Sequence, residues 1–176
     1  MLTGEVVALR ARRDSDIAVL EAELYDDVAS RSRSDMRPWR PVPPGSAESP
    51  FRVTDPHADP AAFSVVELAS GELAGAAVLW GVDPHNRVAH AGLSLRASFR
   101  GRGLGTDTVR LLCRYGFEVR GLHRMQVETI ADNAAMIRAA TQAGFTREGT
   151  LRQAAWVMGE FADEVILGQL ASEWRS

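Results

Sequence analysis

Three glycines at alternate positions, in Arg100-Gly101-Arg102-Gly103-Leu104-Gly105-Thr106, constrain this chain more than any other feature. Without side chains there, the backbone can turn sharply and come close to a ligand. The run follows an apolar segment, Val88 to Leu95. It precedes Val109, Leu112, Cys113, Gly116 and Phe117, which recur at helical spacing. A strand therefore feeds a helix through a glycine turn. The first amides of such a helix have no intrahelical acceptor, and they carry the positive end of the helix dipole. They suit phosphate oxygens. Arg100 and Arg102 add charge for a diphosphate or a ribose phosphate.

The turn alone does not name the ligand. A Walker A loop needs Gly-x-x-x-x-Gly-Lys-Ser/Thr, and the chain has no such run. A dinucleotide fingerprint needs a third glycine where Thr106 stands, at the first βα turn of the fold. A turn that only connects strand and helix is an equally open reading.

The rest of the chain supplies the setting. Val6, Val7 and Leu9 mark a short strand. Asp14-Ser15-Asp16 offers caps to a helix through Ile17, Leu20, Leu24 and Val28. From 31 to 60 the character changes. Pro38, Pro41, Pro43, Pro44, Pro50, Pro56 and Pro60 are seven of the eight prolines, so a long loop is expected. Ala62 to Ala69, Leu73 to Gly81 and Val88 to Leu95 then form three strands joined by tight turns, an antiparallel meander. After the glycine-led helix come a strand, Met125 to Ile130, and a short helix from Asp132-Asn133 to Gly144. Two last strands are expected at Phe145 to Leu151 and Glu164 to Leu170. The order predicts a mixed α/β architecture, not a repeated βαβ barrel.

The chain has 176 residues, which suits one compact domain spanning 1–176. A net charge of −3 gives no general attraction to nucleic acid, although Arg31, Arg33, Arg37 and Arg40 cluster. No apolar run is long enough to span a bilayer, and the opening residues read as a strand, not a signal peptide. The single cysteine, Cys113, favours a reducing compartment, so a soluble cytoplasmic protein is the expectation. It falls on the apolar face of its helix and reads as core, not nucleophile. His85 and His90 are read as surface residues around a hairpin, without metal-ligand spacing to His57 or His123, and no metal site is expected.

The chain resembles the GCN5-related N-acetyltransferase superfamily (GNAT). Its pyrophosphate loop, Arg/Gln-x-x-Gly-x-Gly/Ala, is matched by Arg100, Gly103 and Gly105. The family's asparagine-to-Gly-Phe segment is matched by Asn133 and Gly144-Phe145. Arg147-Glu148-Gly149-Thr150-Leu151-Arg152, Gly159 and Asp163, with Val6, Leu9 and Arg10, look like the RimJ/RimL branch. The resemblance implies a mostly antiparallel sheet splayed between the family's fourth and fifth strands, with helices on both faces and pantetheine in the gap. It implies acetyl-CoA as donor and an amine as acceptor. Leu93, Ser94 and Leu95 would then offer backbone groups to pantetheine and the thioester carbonyl. Amides from Gly101 through Arg102, Gly103, Leu104 and Gly105 to Thr106 would cradle the pyrophosphate. Asn133 would bond the pantetheine arm with its amide hydrogens while its oxygen caps the helix, and Arg138 would reach a phosphate.

The chemistry departs from the family pattern. The family's usual tyrosine, four residues before Gly-Phe, is Ala140. The branch's serine, three after the asparagine, is Met136. Neither can donate a proton, so solvent or another hydroxyl serves as acid, or the thiolate leaves as such. Glu128 is the candidate base and Ser94 a candidate relay to water; a charged residue on an exposed strand face and a small solvent-facing residue are the competing readings. An α-amine near pKa 7.7 is neutral about one time in six at pH 7, and a lysine amine about once in 2,500. That difference of about 3.7 kcal/mol favours a low-pKa acceptor where no strong base stands. Trp39, within Arg37-Pro38-Trp39-Arg40-Pro41, either walls the acceptor site or packs as a connector. Two other functions stay open: a non-catalytic acyl-CoA sensing module on the same fold, and a nucleotide-binding module. A homodimer joined through an added edge strand of the C-terminal hairpin is also compatible with the sequence.

Overall fold

The computed structural model describes residues 1–35, 37–52 and 60–175. Eight strands form one sheet: β1 (Leu2–Thr3), β2 (Val7–Ala11), β3 (Ala61–Glu67), β4 (Leu73–Asp83), β5 (Val88–Leu95), β6 (Arg124–Ile130), β7 (Thr146–Val157) and β8 (Glu160–Leu170). Their spatial order is β1-β2-β3-β4-β5-β6-β8-β7. Every neighbouring pair is antiparallel except β5 and β6, which are parallel. Four α-helices accompany them: α1 (Asp14–Leu20), α2 (Val28–Ser34), α3 (Leu104–Arg114) and α4 (Ala134–Gln142). The expected mixed α/β architecture is present.

The two sheet faces are covered by different elements because strand side chains alternate. Ala77 and Leu79 of β4, with Ala89 and Ala91 of β5, pack with Val109 and Leu112 of α3. Ala76 faces the other way, into a second cluster of Ile17, Leu20, Leu24, Tyr25 and Phe51. Trp80, His90, Gly92 and Ser94 share the parity of Ala76. They therefore lie on the face that α1 and α2 flank.

The first helix differs from the expectation. Its N-cap is Arg13, whose N–H donates to Asp16 at 2.9 Å. Beyond Leu20 it widens into a π turn, Glu21–Tyr25. Asp27 then starts a new helix by accepting from the Ser30 N–H at 3.1 Å, so Val28 opens α2 instead of closing α1. Helix also continues to Ser34, inside the stretch expected as loop. Of that stretch, Pro56 and His57 lie outside the described residues.

The proline-rich stretch is packed where it is described. Tyr25 donates its hydroxyl to Arg40 O at 2.8 Å, and Trp39 donates Nε1–H to Tyr25 O at 3.1 Å. Arg12 clamps Phe51 O and Phe63 O at 3.0 and 2.8 Å, and burial lowers its guanidinium pKa to about 10.

The last hairpin is longer than expected. It closes through Met158 and Gly159, both at positive φ (48° and 99°), a two-residue turn whose twist suits the strands. The β4 to β5 turn is set by Asp83, which accepts from the His85 and Asn86 N–H groups, each at 2.9 Å. That turn fixes the register in which Trp80 stands opposite His90.

Candidate active site

The parallel pair is short. Val88, Ala89 and His90 pair with Arg124, Met125 and Gln126, and there the two strands part. From Ala91 to Leu95 the β5 backbone has no β6 partner, so its outward groups are available to a ligand. This fork opens into a cleft of about 760 Å³. Leu93, Ser94 and Leu95 line one wall, and Arg100, Gly101, Gly103, Leu104, Gly105 and Thr106 continue it. Asn133, Met136 and Arg138 of the α4 segment form the facing wall, while Ser30 and Arg33 of α2 also border the cleft.

The glycine turn is shaped by backbone needs. Gly101 and Gly103 have φ of 75° and 79°, a region that other residues enter at a cost. A Cβ at either would meet nothing within 4 Å, so their conformation requires glycine and crowding does not. Gly103 is the N-cap of α3 and brings no side chain to its first amides. These amides line the cleft end with the dipole's positive pole. Arg100 donates Nε–H to Leu95 O at 2.9 Å. Arg138 makes no hydrogen bond or ion pair among the described residues.

Arg102 is the one expected cofactor residue that does not line the cleft. Its guanidinium lies 2.6 Å from Glu67, whose side chain is only 6% exposed, and 5.3 Å from the Phe99 ring. A buried carboxylate draws the cation away from the turn. Trp39 likewise lines no part of the site: it packs against the cluster of Leu24, Tyr25 and Phe51. Asn133 accepts from the Met136 N–H at 3.2 Å and donates Nδ2–H to Thr129 Oγ1 at 2.9 Å. The bond to Thr129 therefore leaves one amide hydrogen for a ligand, not two. Ala140 is fully buried, and Met136 stands in the cleft wall, so neither supplies an acid.

A smaller cavity of about 100 Å³ adjoins the cleft and shares Arg33, Ser34, Leu93, Asn133 and Met136 with it. Glu128 lines this cavity, with Trp80, Gly92, Trp156 and Glu164. Ser94 lines only the larger cleft, so the two catalytic candidates are not brought together. Gln126 donates Nε2–H to Glu128 Oε1 at 2.6 Å, and Arg124 donates to Gln126 Oε1 at 3.1 Å while pairing with Glu148.

Three residues here were given no site role by their sequence signal. His90 is half-buried rather than a free surface residue: its ring stacks on Trp80 (5.4 Å, 28°), and its Nδ1 lies 3.6 Å from Glu128 Oε1. Alternation from Ser94 back through Gly92 to His90 is the signal that puts them on one face. Glu164 is 5% exposed, and its side chain has no hydrogen-bond or ion-pair partner among the described residues. Burial raises its carboxyl pKa, and the charge of Glu128 raises it further. Trp80 was legible only as a strand residue.

A mixed sheet forked between two parallel strands, with an uncapped glycine-led helix at the fork, defines an acetyltransferase fold. Residues 7–146 match the family model described as "Acetyltransferase (GNAT) domain", and the chain belongs to that family. It is 32% identical over 107 residues to YdaF of Bacillus subtilis (strain 168), provisionally named a ribosomal N-acetyltransferase. That match covers 61% of this chain and 58% of the relative. It is 28% identical over 101 residues to the spermidine N(1)-acetyltransferase of Escherichia coli (strain K12), covering 57% of this chain and 54% of the relative. Both matches span less than two thirds of the relative. The crystal structure of Mycobacterium smegmatis RimJ in complex with CoA-disulfide has the same fold, with a TM-score of 0.78 at 21% identity, covering 97% and 84% of the two chains.

Proposed function

We propose that this protein is an N-acetyltransferase that moves an acetyl group from acetyl-CoA to a primary amine. The observation that carries the reading is the fork: β5 backbone left without a β6 partner from Ala91 to Leu95 leads directly to the open amides of α3. When bound, acetyl-CoA supplies the activated thioester carbonyl that the amine attacks. The α3 amides, Arg100 and Arg138 hold its phosphates. Leu93 to Leu95 align the pantetheine arm, and a β5 N–H stabilises the oxyanion. Asn133 offers its remaining amide hydrogen to the same arm. Glu128 receives the amine proton in the adjoining cavity. Met136 and Ala140 donate nothing, so the thiolate leaves unprotonated or takes a proton from solvent.

A second acceptor class is favoured by a specific observation. Glu128 and Glu164 line one cavity, and Glu164 has no cationic partner among the described residues. Such a pair suits an amine that carries a further positive charge, the polyamine class of the E. coli relative. A protein N-terminus is the other acceptor consistent with the fold's relatives.

We read residues 1–176 as one domain in the cytoplasm, a reading supported by the free, buried Cys113. No helix among the described residues is long and apolar enough to cross a membrane. A homodimer through the β7 edge of the C-terminal hairpin, where Trp156 and Phe161 are exposed, belongs to the same proposal. The test is thiol release from acetyl-CoA across a panel of peptide N-termini, lysine derivatives and polyamines. Amine-dependent release is expected, and silence with retained acetyl-CoA binding would leave only a sensing module.

A further inference from the structure

His90 occupies the last paired position before the fork, opposite Gln126 on β6 and Trp80 on β4. Its ring is held on one face and bounded along one edge. Trp80 stacks on it, and Gly81 leaves room for its edge: a Cβ there would come 3.1 Å from His90 Cδ2. Its Nδ1 is buried and has no hydrogen-bond partner among the described residues. A ring nitrogen so placed is costly unless something satisfies it. The nearest acidic atom is Glu128 Oε1 at 3.6 Å, just beyond hydrogen-bond reach.

Glu128 Oε1 already accepts from Gln126 at 2.6 Å. Gln126 is itself held by Arg124, which pairs with Glu148. The chain Glu148, Arg124, Gln126 thus approaches Glu128 from one side, and His90 approaches from the other. Both donors address the same oxygen. The remaining oxygen, Oε2, has no hydrogen bond among the described residues. Glu164 and Asp35 also line the cavity, and Glu164 adds a carboxyl there without a donor.

We propose that His90 is a positioning residue for acetyl transfer: its Nδ1–H donates to Glu128 Oε1 and leaves Oε2 directed at the acceptor amine. The inference rests on the N-acetyltransferase reading and on Glu128 as base. In the step it serves, the amine nitrogen forms the bond to the acetyl carbon. The carbon–sulfur bond breaks with its electron pair on sulfur, and the amine proton goes to Glu128 Oε2. His90 neither gains nor loses a proton. It holds the carboxylate against rotation and keeps Oε1 occupied. Catalytic hydrogen bonds are often long in a free enzyme and tighten once substrate binds, as the 3.6 Å separation requires here.

The test compares His90→Phe, which keeps a ring against Trp80 and removes the donor, with His90→Asn, whose amide restores an N–H near the Nδ1 position. His90→Phe is expected to lower kcat about ten- to a hundredfold, below the roughly hundred- to ten-thousandfold of a whole general base because Glu128 itself remains. Acetyl-CoA affinity should be unchanged, and His90→Asn should recover much of the loss. His90→Phe within twofold of wild type would overturn the proposal, as would equal loss in both variants. An independent readout needs no variant: 15N NMR of labelled histidine should find His90 as the Nδ1–H tautomer, and the Nε2–H tautomer sinks the assignment. If Glu128→Gln leaves kcat intact while amines still release thiol, Glu128 and His90 both lose their roles and acetyl transfer stands. If no amine releases thiol while acetyl-CoA binds, the acetyltransferase reading fails and takes His90 with it.

Discussion

Trp80 rests on Gly92: a Cβ built at Gly92 would come 2.9 Å from Trp80 Cζ3. Both residues line the small cavity that holds Glu128. Gly92→Ala must therefore move the indole or the strand. We expect overpacking to cost about 1–3 kcal/mol in urea unfolding. The KM for the amine should rise several-fold while acetyl-CoA affinity changes little. An unchanged amine KM would separate this cavity from the acceptor.

Arg100 and Arg102 stand two residues apart and are expected to fail differently. Arg100 lines the cleft, so Arg100→Ala should weaken CoA binding about tenfold, the loss of one charge-assisted contact. Arg102 pairs with the buried Glu67 at 2.6 Å. Arg102→Ala should leave CoA affinity near wild type and lower stability by about 1–3 kcal/mol, because it leaves that buried carboxylate with the Ser70 hydroxyl and no cation. Calorimetric titration and thermal melts of the two variants make the comparison.

Asn133 links the N-terminus of α4 to β6 through the Met136 N–H and Thr129. Asn133→Ala should cost about 1 kcal/mol for the lost cap. Asn133→Asp keeps the capping oxygen and removes the amide hydrogens. It should stay near wild type in stability yet bind CoA more weakly, which isolates the amide's contribution to the ligand.

Asp16 gives a prediction in pH. Burial pushes its carboxyl up, but hydrogen bonds from Arg10 (2.6 Å), the Arg13 N–H (2.9 Å) and Ser64 (2.7 Å), with the charge of Arg10, outweigh it. The folded pKa is held well below the usual carboxylate range. Its stabilisation is therefore complete above the unfolded value near pH 4 and is lost progressively as pH falls below that. Asp16→Asn should cost about 3 kcal/mol at pH 7 and flatten the fall in stability between pH 4 and 2, measured by urea titration.

The residues of the glycine turn dictated their own structure. Gly101 and Gly103 need positive φ, Gly103 cannot cap, and the helix after them follows its apolar repeat. The meander, both helices after it and the Asn133 cap were legible for the same reason: each depends on neighbours within a few residues. The acceptor side was not. Trp80 and His90 meet because the Asp83 turn sets one register of β4 against β5. Glu128 meets His90 because β5 and β6 pair for three residues before parting. Glu164 enters because β8 lies between β6 and β7, which sets Glu164 opposite Ile130 of β6 as well as Leu151 of β7. Arg102 turns away from the cleft because its partner, Glu67, lies 35 positions away on another strand. Local backbone chemistry thus fixed the glycine turn and the helix amides it exposes, whereas the acid–base setting around the fork was decided by strand register and burial, which couple residues far apart in the chain.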